Sequence, residues 1–459
     1  MNPNGALPGN DGTDDGSAGR LRTLAGGVEE ELLLRLFGRH ATSSDRWRSL
    51  ARGTDWDRLL TLSGPFMAPY LAHRVSAAGL GELIPLPALE RIRSDRRLGA
   101  MSQLQQRAAL RAAVSALAGA GIATVALKGV ALVEGVYSDA THRLMSDVDL
   151  WVPDQNLPDA IRALGRVGFE IYKGHERIAL AAGPAGQHPL IWRDAPVLLE
   201  LHAPPSSFKR LNEARRRLAW ERAGPSATFG PALRTLRAED LLLHVALHAA
   251  KHDFEQGLRP LIDLLNIIER WGTSWRWEEL ASDYRDQHVE VPMYLTLALA
   301  RNLLGAAIPD FFFDLLPQPP GVEEICRLSS RTVLEPLVQR LPPVVHTLAQ
   351  QPTFTGRLGF LLRRLTVYYW PHERPQGQSF TGTAADALRR MRYDVRVKVP
   401  KYWRSWRHGL LWNEKLSRRA ALARERGHIH QLIIEAERTA GNLDANAATW
   451  TLRKRTDSQ

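Results

Sequence analysis

A chain of 459 residues has room for two or three domains and a large core. With 44% hydrophobic and 24% charged residues it has the balance of a globular protein, not of a disordered or fibrous one. Its single cysteine, Cys326, excludes an intramolecular disulfide, and its net charge of +11 leaves nucleic acid, anionic lipid and phosphorylated ligands open as partners. No basic-then-apolar leader pattern opens the sequence. Its best uncharged apolar stretch, 293–308, is broken by Arg301. No transmembrane segment is expected, and a cytoplasmic location is.

Residues 1–20 are rich in Gly, Asn, Asp and Pro and are expected to be a disordered tail. An N-terminal helical region, 21–103, follows. Val28, Leu32, Leu33 and Leu36 repeat at helical spacing, and 56–76 and 87–120 also look helical. The core is expected over 104–223. A helix over 104–118 ends at Gly119-Ala-Gly121. A buried strand over 124–127 stops at Lys128-Gly129, and a helix over 130–137 follows. A half-buried strand over 148–152 comes next, then a helix over 154–165. Four runs, 169–172, 178–182, 189–192 and 197–202, read as strands of a meander. The spacing therefore predicts an α/β (α+β) core with a mixed sheet, flanked by helical regions.

A Pro/Gly loop at 224–231 is expected as a domain boundary, and a helical domain over 232–372 comes next. Helices are predicted over 238–254 and 258–270, with His244, His248 and His252 four apart on the first and Asp263 on the second. The histidines are a wall of a cleft or a polar seam between helices. Their spacing also suits zinc, but no cysteine or tight acidic partner accompanies them. Residues 376–383 read as a linker. The tail, 384–459, interleaves Arg and Lys with Tyr and Trp up to Trp412, a pattern that suits RNA, a membrane surface or packing against the protein body.

The chemistry gathers in 124–153. Asp147 and Asp149 are two apart along a strand, so their carboxylates share a face. Paired acids flanked by Leu150, Trp151 and Val152 need a cation, and magnesium, or manganese, is the ordinary one. Lys128 stands where a strand turns into a helix beside Gly129, a place that favours an anion. Arg143 and Ser146 contact phosphate or hold the turn before the strand.

Leu127-Lys128-Gly129, a helix, then Arg143-x-x-Ser146-Asp147-x-Asp149-Leu150-Trp151-Val152 and a later Glu200-Leu201-His202 resemble the uncharacterised nucleotidyltransferase family, of the DNA polymerase beta-type superfamily, over about 105–270. The resemblance implies a triphosphate held by the strand–turn–helix and metals bound by the D-x-D strand and a third carboxylate, Glu200. His202 is expected as a hydrogen-bonded core histidine rather than a catalytic base. The implied substrate is an NTP, ATP first, with a hydroxyl acceptor that the sequence does not identify. An RNA-modifying or toxin-like transferase using the basic tail, and a non-catalytic nucleotide-binding relative, are the readings from other classes.

Overall fold

The computed structural model describes residues 21, 24–172, 187–318, 321–334 and 428–439. The expectations for 1–20, 178–182, 335–372, the linker and most of the basic aromatic tail lie outside these residues. The elements labelled below belong to one compact unit, Met1–Val338 with Glu435–Asn442. Of the other unit, Gln339–Ile434 with Leu443–Gln459, only residues 428–434 are described, as helix.

The N-terminal region consists of α1 (Val28–Phe37), α2 (Ser44–Gly53), α3 (Trp56–Ser63), α4 (Ala68–Ala77) and α5 (Leu86–Gly119). The single helix expected over 56–76 is two, because Gly64 takes a positive φ of 70° ahead of Pro65. Conversely, α5 is one helix of 34 residues, so the expected boundary between 103 and 104 falls inside it. It buries Ala109, Leu110, Ala113, Val114 and Leu117 along one side and exposes Leu98, Met101 and Leu104 elsewhere.

The sheet is built from β1 (Val125–Ala126), β2 (Val148–Trp151), β3 (Phe169–Ile171), β4 (Gln187–Trp192), β5 (Leu198–His202), β6 (Gly224–Ser226) and β7 (Gly230–Thr235). Their spatial order is β3-β4-β5-β2-β1-β7-β6. Between them run α6 (Lys128–Gly135), α7 (Leu157–Arg166) and α8 (Glu213–Arg222). β2 pairs with β5, and β1 with β7, in parallel; the other pairings are antiparallel. The mixed α+β sheet expected from the sequence is therefore present. The segment 224–231, expected as a loop, instead forms most of a hairpin that extends the sheet beyond β1. Gly224 and Pro225 sit on the edge strand β6, where a missing side chain or N–H is tolerated, and Gly230 and Pro231 are the first two residues of β7.

Beyond the sheet come α9 (Ala238–Lys251), α10 (Arg259–Trp271), α11 (Trp277–Asp286), α12 (Glu290–Leu304), α13 (Asp310–Asp314) and α14 (Val322–Leu334). α9, α10 and α12 pack on one another. α12 is buried on nearly every side, which explains its long apolar run: it is the centre of the helical layer. Among the described residues no helix is long and apolar enough to cross a membrane.

Candidate active site

β2 and β5 pair in parallel with Asp149 opposite Glu200 and Trp151 opposite His202. The alternation of a strand then sends two sets of side chains to two faces. Leu150, Leu199 and Leu201 are fully buried on one face. Asp149, Glu200 and His202 share the other. Their ligand-capable atoms all lie within 4.8 Å of one another.

Lys128 reaches this group from the start of α6. Its Nζ donates to Asp149 Oδ1 at 2.7 Å and lies 3.5 Å from Glu200 Oε2. The residue adopts a left-handed φ of 40°, a conformation that costs a non-glycine residue about 1–2 kcal/mol. The backbone strain accompanies a side chain turned back over the end of β2. Burial opposes the lysine's charge, but Asp149, then Glu200 and Asp147, outweigh it, and its pKa stands above the ordinary lysine value.

His202 Nε2 lies 2.7 Å from Asp149 Oδ1 and 3.7 Å from Glu200 Oε2. Burial, then the charge of Lys128, drives the imidazole pKa down to about 3. The ring is therefore neutral at pH 7, and its Nε2–H donates to the carboxylate. Burial raises Asp149 above the usual carboxylate range, against the pull of Lys128; burial and then Asp149 raise Glu200. Asp149 Oδ2 and His202 Nδ1 are buried without a hydrogen-bond partner. The two carboxylates, beside an unsatisfied buried oxygen, are oxygen donors of the kind that magnesium or manganese takes, and the imidazole adds a nitrogen that softer ions prefer.

Asp147 immediately precedes β2 and is half-buried. Its Oδ1 accepts the hydroxyl of Ser146 at 2.7 Å. Its charge acts on Lys128, Asp149, Glu200 and His202, although it is not one of the three converging ligands.

The loop before β2 is clamped from α5. Gln103 Nε2 donates to the carbonyl of Arg143 at 2.9 Å, and Gln106 Nε2 to that of Met145 at 2.8 Å. Gly129 serves the same contact from the other side: a Cβ there would meet Met145 Cγ at 3.1 Å. Arg143 links this loop to α10. Its Nε and Nη2 bind the two oxygens of Asp263 at 2.7 and 2.9 Å, and Nη1 donates to the carbonyl of Leu144. Tyr137, which the sequence reading passed over, completes this group by donating to Asp263 Oδ1 at 2.8 Å.

The histidines follow one another along α9, His244 buried and His248 and His252 half-buried. His244 Nδ1 meets Ser207 Oγ at 2.6 Å, and His248 Nε2 meets Gln256 Nε2 at 2.9 Å. The rings of His248 and His252 are 4.6 Å apart. Burial, then Lys128, holds His244 and His248 well below the ordinary histidine pKa. None of the three joins a metal-ligand group among the described residues.

The sequence model of the family described as "Uncharacterised nucleotidyltransferase" matches residues 52–305, more than half of the chain. No curated protein and no solved structure matches it.

Proposed function

Because this chain belongs to the uncharacterised nucleotidyltransferase family, we propose that its acidic sheet edge moves a nucleoside monophosphate from an NTP, ATP first, onto a hydroxyl acceptor. The observation that carries the reading is the convergence of Asp149, Glu200 and His202 beside Lys128.

Asp149 and Glu200 would hold a magnesium or manganese ion, with His202 beside them and Asp147 as a further acid whose charge acts on the same group. Such an ion neutralises the triphosphate and sharpens an acceptor hydroxyl as a nucleophile. The chain's own residues do the rest. The acceptor oxygen attacks the α-phosphorus, its proton passes to Glu200, and the bond to the β-phosphate oxygen breaks to release pyrophosphate. Lys128 and the Gly129 N–H stabilise the charge that grows on that leaving group. Arg143 acts at one remove: tied to Asp263, it fixes the loop from which Ser146 and Asp147 project. Positioning and electrostatics supply most of the rate in such displacements.

The test is incubation with each α-labelled and γ-labelled NTP, magnesium or manganese, and cell lysate. Label should pass from the α position alone onto an acceptor, and Asp149→Ala should abolish it. Equal labelling by the intact chain and the variant would overturn the reading.

A further inference from the structure

Shortly after His202 the chain makes a tight turn, Ser206–Arg210. Its side chains are held from several sides. Lys251 Nζ donates to Ser206 Oγ at 2.8 Å, and Ser207 Oγ meets His244 Nδ1 at 2.6 Å. Phe208 is fully buried, with its ring edge-on to both Trp151 and His244, at centroid distances of 5.9 and 5.4 Å. Arg210 closes the turn with a two-point grip on Glu437: Nη1 donates to Oε1 at 2.6 Å and Nη2 to Oε2 at 2.7 Å.

The turn packs on the acidic side of the sheet. Trp151 is two positions after Asp149 on β2 and stands opposite His202. Its side chain therefore leaves the same face as Asp149, Glu200 and His202. Phe208 rests on that ring. The position of the turn thus decides how the acidic face is covered beside its carboxylates.

The grip on Arg210 comes from the far end of the sequence. Glu437 lies well beyond the 52–305 span of the family model, yet 435–442 belong to the same compact unit as the sheet. The Glu437 side chain is 3% exposed and that of Arg210 is 29% exposed. A forked pair with a buried carboxylate fixes orientation as well as distance, which a single hydrogen bond does not. Among the described residues neither partner bonds Asp149, Glu200 or His202. The pair acts on the site only through the turn.

We propose that Glu437 is a positioning residue for the transfer reaction: it pins the Ser206–Arg210 turn and so keeps Phe208 packed on the acidic face beside Trp151. The inference rests on the nucleotidyl-transfer reading and deepens it by making 435–439 a working part of the site. A fixed apolar cover keeps water from the reacting groups, and their charges act more strongly for it.

The test uses the full chain, Glu437→Gln, Arg210→Gln and the double variant. Transfer from labelled NTP is measured under single-turnover conditions, manganese binding by electron paramagnetic resonance, and turn opening by hydrogen exchange. The amides to follow are those of Phe208 and Leu211, which donate to the carbonyls of Pro205 and Phe208 at 2.9 and 3.1 Å. In Glu437→Gln these amides should exchange about tenfold faster. The maximal transfer rate should fall about tenfold, while manganese affinity stays within about twofold of the full chain. The double variant should be no slower than either single one, because both remove the same contact. Unchanged transfer in Glu437→Gln would overturn the positioning role and leave the nucleotide site standing. A matching loss of manganese affinity, the mark of general disruption, would overturn it too. If the full chain transferred label from none of the NTPs, both readings would fall together.

Discussion

Two charged clusters lie on either side of the short segment 143–149, and they are built differently. Arg143, Asp263 and Tyr137 form a closed group, in which both carboxylate oxygens and the guanidinium Nε, Nη1 and Nη2 are used. Lys128, Asp149, Glu200 and His202 form an open one. It has two acids for one lysine, and Asp149 Oδ2 and His202 Nδ1 are left without partners. Burial alone does not separate them, since Asp149 and Asp263 are 1% and 3% exposed. Saturation does. A saturated buried pair braces the chain; an unsaturated one costs stability and persists where a ligand completes it.

The widest separation should come from Asp149→Asn. It should reduce transfer about a thousandfold or more while denaturant unfolding changes little. Asp263→Asn should do the reverse first. It strands a buried guanidinium and should cost about 3–5 kcal/mol of stability by denaturant titration. Lys128→Met removes the cation facing the acids and should slow transfer about a hundredfold, read in single-turnover kinetics.

A pH effect should be smaller. His244 and His248 are held neutral in the fold, with pKa values well below the ordinary 6.5. The unfolded chain therefore binds more protons below about pH 6.5, and stability must fall as the pH drops through that value. The slope is at most about 1.4 kcal/mol per unit for each ring. Urea midpoints at pH 7.5 and 5.5 should differ, and His248→Gln should flatten the difference. The least effect belongs to Gly129→Ala, where a Cβ 3.1 Å from Met145 Cγ should cost under about 1 kcal/mol.

How legible this was depended on the range of the signal. The strand–turn–helix at Lys128 and the D-x-D strand are local patterns, and both could be read from spacing. The pairing of Asp149 with Glu200 spans 51 positions and depends on a parallel register that spacing does not encode. It was reached through the family resemblance. Arg143 could not be told from a phosphate ligand, because Asp263 lies 120 positions away. His202 reads as a core histidine by composition. Only the register brings it to Asp149. The hairpin at 224–235 was hidden by its own glycines and prolines, which mark loops and edge strands alike.

The central claim is that Asp149, Glu200 and His202 cage a divalent ion that Arg143 and Asp263 do not touch. Titration of manganese by electron paramagnetic resonance tests it most directly, on the full chain, Asp149→Asn, Glu200→Gln and Arg143→Lys. The account requires tight binding by the full chain, at least tenfold weaker binding in the first two variants, and near-native binding in the third. Manganese held equally by the full chain and Asp149→Asn would contradict it.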